Sequence, residues 1–164
     1  MTQRDILARV PLGDATFELA REVAPASSYD GLSGGAVMRA GIETGRQSIP
    51  IDSLRALTRW AVEHGVDLPI EVAKDPAAFA EFIRHFELGK RVVSNPELFS
   101  FVEQEFDVSL EHERPRVEGA ELLFLCGEFS LDREAPRIWR VRADLVTGYI
   151  SEEPVQPRSV PPDV

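Results

Sequence analysis

Two apolar segments between Glu121 and Ile150 constrain the fold more than any other feature of this sequence. The first, Leu122-Leu123-Phe124-Leu125-Cys126, is too short for a buried helix, and a polar stretch at 132–137 interrupts the pattern. The second alternates between apolar and polar residues from Ile138 to Leu145, as expected for a half-buried strand. The pattern therefore predicts a β-hairpin with arms at 121–131 and 137–145.

The alternation also predicts how the two arms pair. A register with Phe129 opposite Trp139 brings the apolar residues of both arms to one face. The same register sets Glu128 opposite Arg140, which is a favourable cross-strand charge pair. The apolar face of the second arm then contains Trp139, Val141, Ala143 and Leu145, and the polar face contains Arg140, Arg142 and Asp144.

The first fifty residues carry weaker signals. Residues 2–10 and 14–24 are predicted as helices, with Asp14 as the N-cap of the second. Alternation at 15, 17 and 19 also suits a strand, but we favour the helix. Residues 25–50 contain five glycines and few large apolar side chains, which predicts a loop that is mobile or functional, or that contains a short strand near 36–42.

Three helices have clearer signals. Residues 54–64 form an amphipathic pattern that Gly65 ends, and Asp75-Pro76 and Asn95-Pro96 each place a capping side chain before a proline at the first helical position. The latter two motifs predict helices at 76–88 and 96–106. Each has one apolar face at helical spacing, consisting of Phe79, Phe82 and Phe86 in the first and Phe99, Val102 and Phe106 in the second.

These elements predict an α+β fold in which N-terminal helices pack on one face of a small C-terminal antiparallel sheet. The sheet consists of the hairpin and a short third strand near 149–153, and Trp139 and Phe129 lie at the centre of the face that the helices cover. We expect one globular domain at 1–153 and a flexible proline-rich tail at 154–164. The single cysteine, Cys126, excludes an internal disulfide, and no segment resembles a signal peptide or a membrane span, so we expect a cytoplasmic protein.

The charge distribution suggests a partner. The formal net charge is −10, and residues 95–121 carry eight acidic side chains against two arginines. A negative surface disfavours nucleic-acid binding and accelerates the approach of a basic protein. We therefore expect a non-catalytic binding protein of the immunity, inhibitor or adaptor type, with a basic protein as its partner. The predicted partner-binding residues are Glu103, Glu105, Glu111, Glu113 and Glu118.

Catalytic and metal-binding motifs are absent from the sequence. No Gly-x-Ser-x-Gly elbow, HExxH or CxxC is present, and Cys126 lies among apolar neighbours where a thiol is usually inert. We accordingly predict no catalytic residue, no metal and no cofactor. The alternative is a small-molecule enzyme or sensor that uses the Gly31–Gly45 loop together with Arg140 and Arg142 as an anion site.

Overall fold

The computed structural model of this chain describes residues 3–23, 36–93, 96–109, 111–128 and 136–157. These residues form two antiparallel sheets, called sheet A and sheet B, and short helices between them in the chain. Sheet A contains β1 (Gln3–Leu12), β2 (Ala15–Val23), β3 (Ala36–Glu43) and β4 (Ser48–Pro50). Sheet B contains β5 (Arg91–Val92), β6 (Arg116–Glu118), β7 (Glu121–Glu128), β8 (Arg137–Asp144) and β9 (Ile150–Pro154).

The prediction of two N-terminal helices is wrong, because β1 and β2 form a hairpin. Leu12 pairs with Ala15 across the two-residue turn Gly13-Asp14, and Gly13 adopts a φ of 65°. A Gly-Asp dipeptide between alternating segments is a hairpin signal, so Asp14 belongs to a turn and is not a helix cap. The alternating residues on β1 and β2 are buried because they line the core: Ala8, Val10, Leu12, Ala15, Phe17 and Leu19.

The predicted glycine-rich loop at 25–50 contains two strands. β3 pairs with β2 along its whole length, and β4 pairs with the end of β3. Residues 25–35 lie outside the described residues.

The helices later in the chain lie where capping and periodicity predict them. They are α1 (Leu54–Glu63), α3 (Pro76–Ile83) and α4 (Pro96–Glu105), with a short additional helix α2 (Leu68–Val72). Ser53 and Asp75 cap α1 and α3 with their side-chain oxygens. The predicted cap Asn95 lies outside the described residues. A π-helical segment, Arg84–Leu88, continues α3 and ends at Gly89, which has a φ of 66°.

The hairpin of β7 and β8 is present, but the predicted register is wrong. Cys126, and not Phe129, faces Trp139, and Phe124 faces Val141. The inward face of β7 therefore consists of Leu122, Phe124 and Cys126, which are all buried. Glu128 faces Arg137 instead of Arg140. Phe129 lies outside the described residues.

One large core joins the two sheets, so the prediction of helices on one small sheet is wrong. The rings of Phe79 and Phe82 in α3 lie 4.9 and 5.5 Å from the ring of Phe17 in β2, and the same helix also contacts β5, β6 and β7. The predicted phenylalanine face thus packs on sheet A as well as on sheet B. A smaller second core covers part of the other face of sheet B, and it consists of Val93, Val102, Phe106, Val108, Leu125, Ile138 and Val155.

The segment that follows β9 remains paired with sheet B. The N–H of Val155 donates to the carbonyl of Ile138 over 2.8 Å, and Pro157 forms an isolated bridge with Phe106. Residues 154–157, which the sequence assigns to a flexible tail, are therefore part of the fold. Residues 158–164 lie outside the described residues.

Candidate functional site

A cavity of about 650 Å³ lies where the end of α4 meets the edge of sheet B. We call it the α4 groove. It forms because the second core covers only part of this face of sheet B, and the wall continues from β8 to the extended segment after β9. Its lining residues are Glu105, Phe106, Pro136, Arg137, Ile138, Trp139, Pro154, Val155, Gln156 and Pro157.

The walls of the groove are mostly apolar and are held by neighbouring contacts. Ile138 and Val155 are buried at 1% and 7% exposure, and they belong to the second core. Trp139 also lines the groove, but its side chain lies on the opposite face of β8 from Ile138, where it packs on the main core and its ring centroid lies 4.1 Å from the ammonium group of Lys90. Lys90 also forms an ion pair with Glu152. An apolar cavity with a small number of polar groups is the usual form of a binding site.

Three of the five predicted partner-binding residues lie on α4 and the turn that follows it. Glu105 lines the groove, Glu103 is exposed on the same helix, and Glu111 is exposed in the turn at 111–113. The neighbouring Asp107 is also exposed. This part of the surface is therefore rich in carboxylates next to an apolar cavity.

The other two predicted residues are engaged with arginines of the same chain. The carboxylate of Glu113 accepts a hydrogen bond from Arg140 Nε over 2.9 Å, and that of Glu118 accepts one from Arg116 Nε over 3.0 Å. Their negative charge is therefore largely compensated on sheet B.

Phe101 is a candidate contact residue that the sequence pattern misses. It is 39% exposed on α4, and it lies one helical turn before Glu105, so the two side chains share a face. Large apolar side chains next to charged residues are typical of protein–protein contacts. The sequence carries one signal that could have identified it: Phe101 is apolar but lies outside the buried stripe that contains Val102 and Phe106.

A second cavity, of about 320 Å³, lies on the same face of sheet B and contains the arginines of the alternative hypothesis. Arg116, Arg140 and Arg142 line it, together with Glu113, Glu118, Glu152 and Glu153. Arg142 lies 3.4 Å from Glu121, so each of the three guanidinium groups faces a carboxylate. Residues 36–45 belong to sheet A and its β3–β4 turn, and they do not line this cavity. Residues 31–35 lie outside the described residues.

The single thiol lies inside the main core. Cys126 is fully buried on the inward face of β7, and burial raises the pKa of its thiol to about 12. At neutral pH the reactive thiolate is therefore scarcely populated.

Comparison of the chain with protein-family models, with curated proteins and with solved structures finds no match. Within the described ranges, each helix is too short or too polar to cross a lipid bilayer.

Proposed function

We propose that this chain is a non-catalytic binding protein that holds a basic segment of a protein partner at the α4 groove. The observation that carries this proposal is the position of an apolar cavity directly beside the exposed carboxylates of α4. In this arrangement the partner inserts an apolar side chain between the end of α4 and the Pro154–Pro157 segment. Its basic residues then lie against Glu103, Glu105 and Glu111.

The two parts of this surface contribute different terms to binding. Apolar anchors that become fully desolvated supply most of the binding energy at protein interfaces, and Phe101 is the candidate here. Exposed carboxylates raise the association rate of a basic partner more than they raise the final affinity. Immunity, inhibitor and adaptor proteins are the classes that use such a surface to hold a basic partner.

The proposal is tested by affinity capture from the native cell with the wild-type chain and with the variant E105K/E111K. We expect a basic protein to be retained by the wild type and lost by the variant. With the captured partner in purified form, the association rate should fall about tenfold at low ionic strength and by less at higher salt, because salt screens exposed charges.

A matched control separates a local contact from an effect of net charge. The variant E63K/E153K changes the net charge by the same amount, but Glu63 is exposed on α1 and Glu153 on β9, and neither lines the groove. This control should retain the partner. Equal loss from both variants, or retention by E105K/E111K, would contradict the proposal.

The alternative proposal, a small-molecule enzyme or sensor, is supported by one observation, the cavity lined by Arg116, Arg140 and Arg142. Four carboxylates line the same cavity, so an anionic ligand has to displace ion pairs to reach the arginines. Titration with inorganic phosphate, followed by NMR of the arginine Nε–H groups, distinguishes this alternative from a structural ion-pair network.

A further inference from the structure

A separate cavity, of about 560 Å³, lies between the β1–β2 turn and the connection from α1 to α2. We call it the hairpin pocket. Apolar and acidic side chains dominate its lining, which consists of Leu12, Gly13, Asp14, Ala15, Thr44, Trp60, His64, Gly65, Val66, Asp67, Ile70 and Glu71.

The β1–β2 turn packs closely against the segment after α1. A Cβ atom added to Gly13 would lie 3.5 Å from Val66 Cγ2, and the N–H of Val66 donates to the carbonyl of Ala61 over 2.8 Å. These contacts hold Asp14, the second turn residue, next to the Val66-Asp67 segment. Two carboxylates from distant parts of the sequence thus line one cavity.

An aromatic pair forms another part of the wall. The ring of His64 stacks on Trp60 with a centroid distance of 4.0 Å and an interplanar angle of 14°. His64 Nδ1 donates to the carbonyl oxygen of Trp60 over 2.8 Å, so Nε2 is the acceptor in the neutral ring. Trp60 is 91% buried, and its indole N–H has no hydrogen-bond partner among the described residues.

The charges that line the pocket are all negative. Asp14, Asp67 and Glu71 contribute carboxylates, and the lining contains neither lysine nor arginine. Glu71 forms a 3.1 Å ion pair with Lys74, whereas Asp14 and Asp67 make no ion pair or side-chain hydrogen bond within the described part of the chain. Asp67 precedes α2, where an aspartate usually caps the helix, but its carboxylate makes no capping bond.

We propose that the hairpin pocket binds a small organic cation, an alkylammonium or alkylguanidinium compound. The carboxylates of Asp14 and Asp67 and Nε2 of His64 are acceptors for the cationic group. Leu12, Val66 and Ile70 contact its apolar stem. Among the described residues, no three His, Cys, Asp or Glu side chains are arranged to hold a metal ion, which favours an organic cation over an inorganic one.

The test uses the fluorescence and NMR signals of Trp60 to report ligand binding. The sequence contains two tryptophans, so the full-length variant W139F leaves Trp60 as the only one. This variant is titrated with butylammonium chloride and with butylguanidinium chloride, and Trp60 is followed by fluorescence and by the NMR signal of its indole N–H. We expect a saturable change with both cations and a much weaker one with butanol or sodium butyrate, which have the same stem without the positive charge.

Charge-neutralising variants in the W139F background locate the site. Asp67→Asn should weaken butylammonium binding about fivefold, because one charge-assisted contact is removed. Glu153→Gln removes the same charge from an exposed position on β9 and should leave the affinity unchanged. The proposal is overturned if butanol binds as well as butylammonium, if the two variants weaken binding equally, or if no saturable change occurs.

Discussion

The outward faces of the two sheets are organised differently. On sheet A, the outward face is an ionic lattice in which Glu18 contacts Arg4 and Arg9, and Glu22 contacts Arg39 at 2.6 Å. Ala20 is fully buried on β2 between the positions of these two glutamates. The positive and negative charges of this lattice compensate each other, and Ile6 and Val37 are partly exposed on the same face.

On sheet B, the outward face is divided. Arg140 and Arg142 pair with glutamates, while Ile138 and Leu125, which lies directly opposite Arg140, are buried beneath the second core. The α4 groove lies at the margin of this covered part. The proposed binding surface thus lies on the sheet face that has partial apolar cover, whereas the outward face of sheet A is mostly ion-paired.

The largest expected effect concerns how a turn of each sheet packs against α1 or against the segment that follows it. Gly148, in the turn before β9, has a φ of 78°, and an added Cβ would lie 2.6 Å from the Cα of Arg55. Gly148→Ala should therefore lower the free energy of unfolding by about 3 kcal/mol or more, measured by urea denaturation. Gly13→Ala in the turn of sheet A should cost about 1 kcal/mol, because it meets only an ordinary contact at 3.5 Å. Equal losses in the free energy of unfolding for the two variants would contradict this difference in packing between the two turns.

The next prediction tests whether sheet B is covered at one end only. Leu125 is 1% exposed in the second core, and Leu123 lies half-buried on the same face of β7. Leu125→Ala should lower the free energy of unfolding by about 3 kcal/mol, and Leu123→Ala by about 1 kcal/mol. Similar losses for both variants would mean that the cover extends along the whole strand.

A smaller effect is expected from the ionic lattice of sheet A. Glu18 is 11% exposed at its side chain and contacts two arginines, so Glu18→Gln should lower the free energy of unfolding by about 1 kcal/mol at low salt. The loss should shrink in 1 M NaCl because the pairs are screened. Glu105→Gln on α4 serves as a control with little expected effect on stability. A salt-independent loss for Glu18→Gln would indicate packing as its cause.

The smallest expected effect is a pH dependence of stability that arises from Asp144 at the end of β8. The N–H groups of Val146 and Thr147 donate to the Asp144 carboxylate over 2.8 and 3.1 Å, and they hold its pKa below the ordinary value of 3.8. The ionised form is favoured in the folded state, so this contribution is present above pH 3.8 and is lost as the pH falls through the folded pKa. Asp144→Asn should therefore be less stable than the wild type at pH 7, with a difference that narrows below about pH 4.

Asp14 in the β1–β2 turn provides the comparison for this measurement. Its carboxylate makes no hydrogen bond within the described part of the chain. At pH 7, Asp14→Asn should therefore lower the free energy of unfolding less than Asp144→Asn does. Equal losses for the two variants at pH 7 would contradict the role of the Val146 and Thr147 bonds.

Local signals predicted the helices that have distinct ends. The Asp75-Pro76 motif and the glycines at 65 and 89 mark the bounds of α1 and of α3 with its π-helical extension, because caps and left-handed glycines act within one turn. The same reasoning failed at residues 3–23. There an alternating pattern was compatible with both states, and the Gly13-Asp14 hairpin signal was interpreted as a helix cap.

The pairing of β7 with β8 shows the limit of pattern matching. Leu122 to Cys126 is apolar at every position, so alternation cannot say which residues face inward. The structure resolves this because β7 is buried on both faces near Leu125 and Cys126, by the second core on one side and by the main core on the other. The alternating arm from Trp139 to Leu145 was assigned to the correct face.

The candidate sites were predictable only in part. The acidic character of residues 95–121 is visible in the sequence, but the pairing of Glu113 with Arg140 and of Glu118 with Arg116 is not, because these contacts depend on sheet register. The hairpin pocket had no sequence signal, since it brings Asp14 and Asp67 together from separate elements.

By itself, the sequence determined the capped helices, the second hairpin and the negative charge, because each depends on interactions between residues that are near one another in the chain. Tertiary structure alone decided that a second sheet packs on the helices, which carboxylates are neutralised, and where the three cavities lie. These features depend on contacts between residues far apart in the chain, and the energies of such contacts arise only when the sheets and helices enclose a common core.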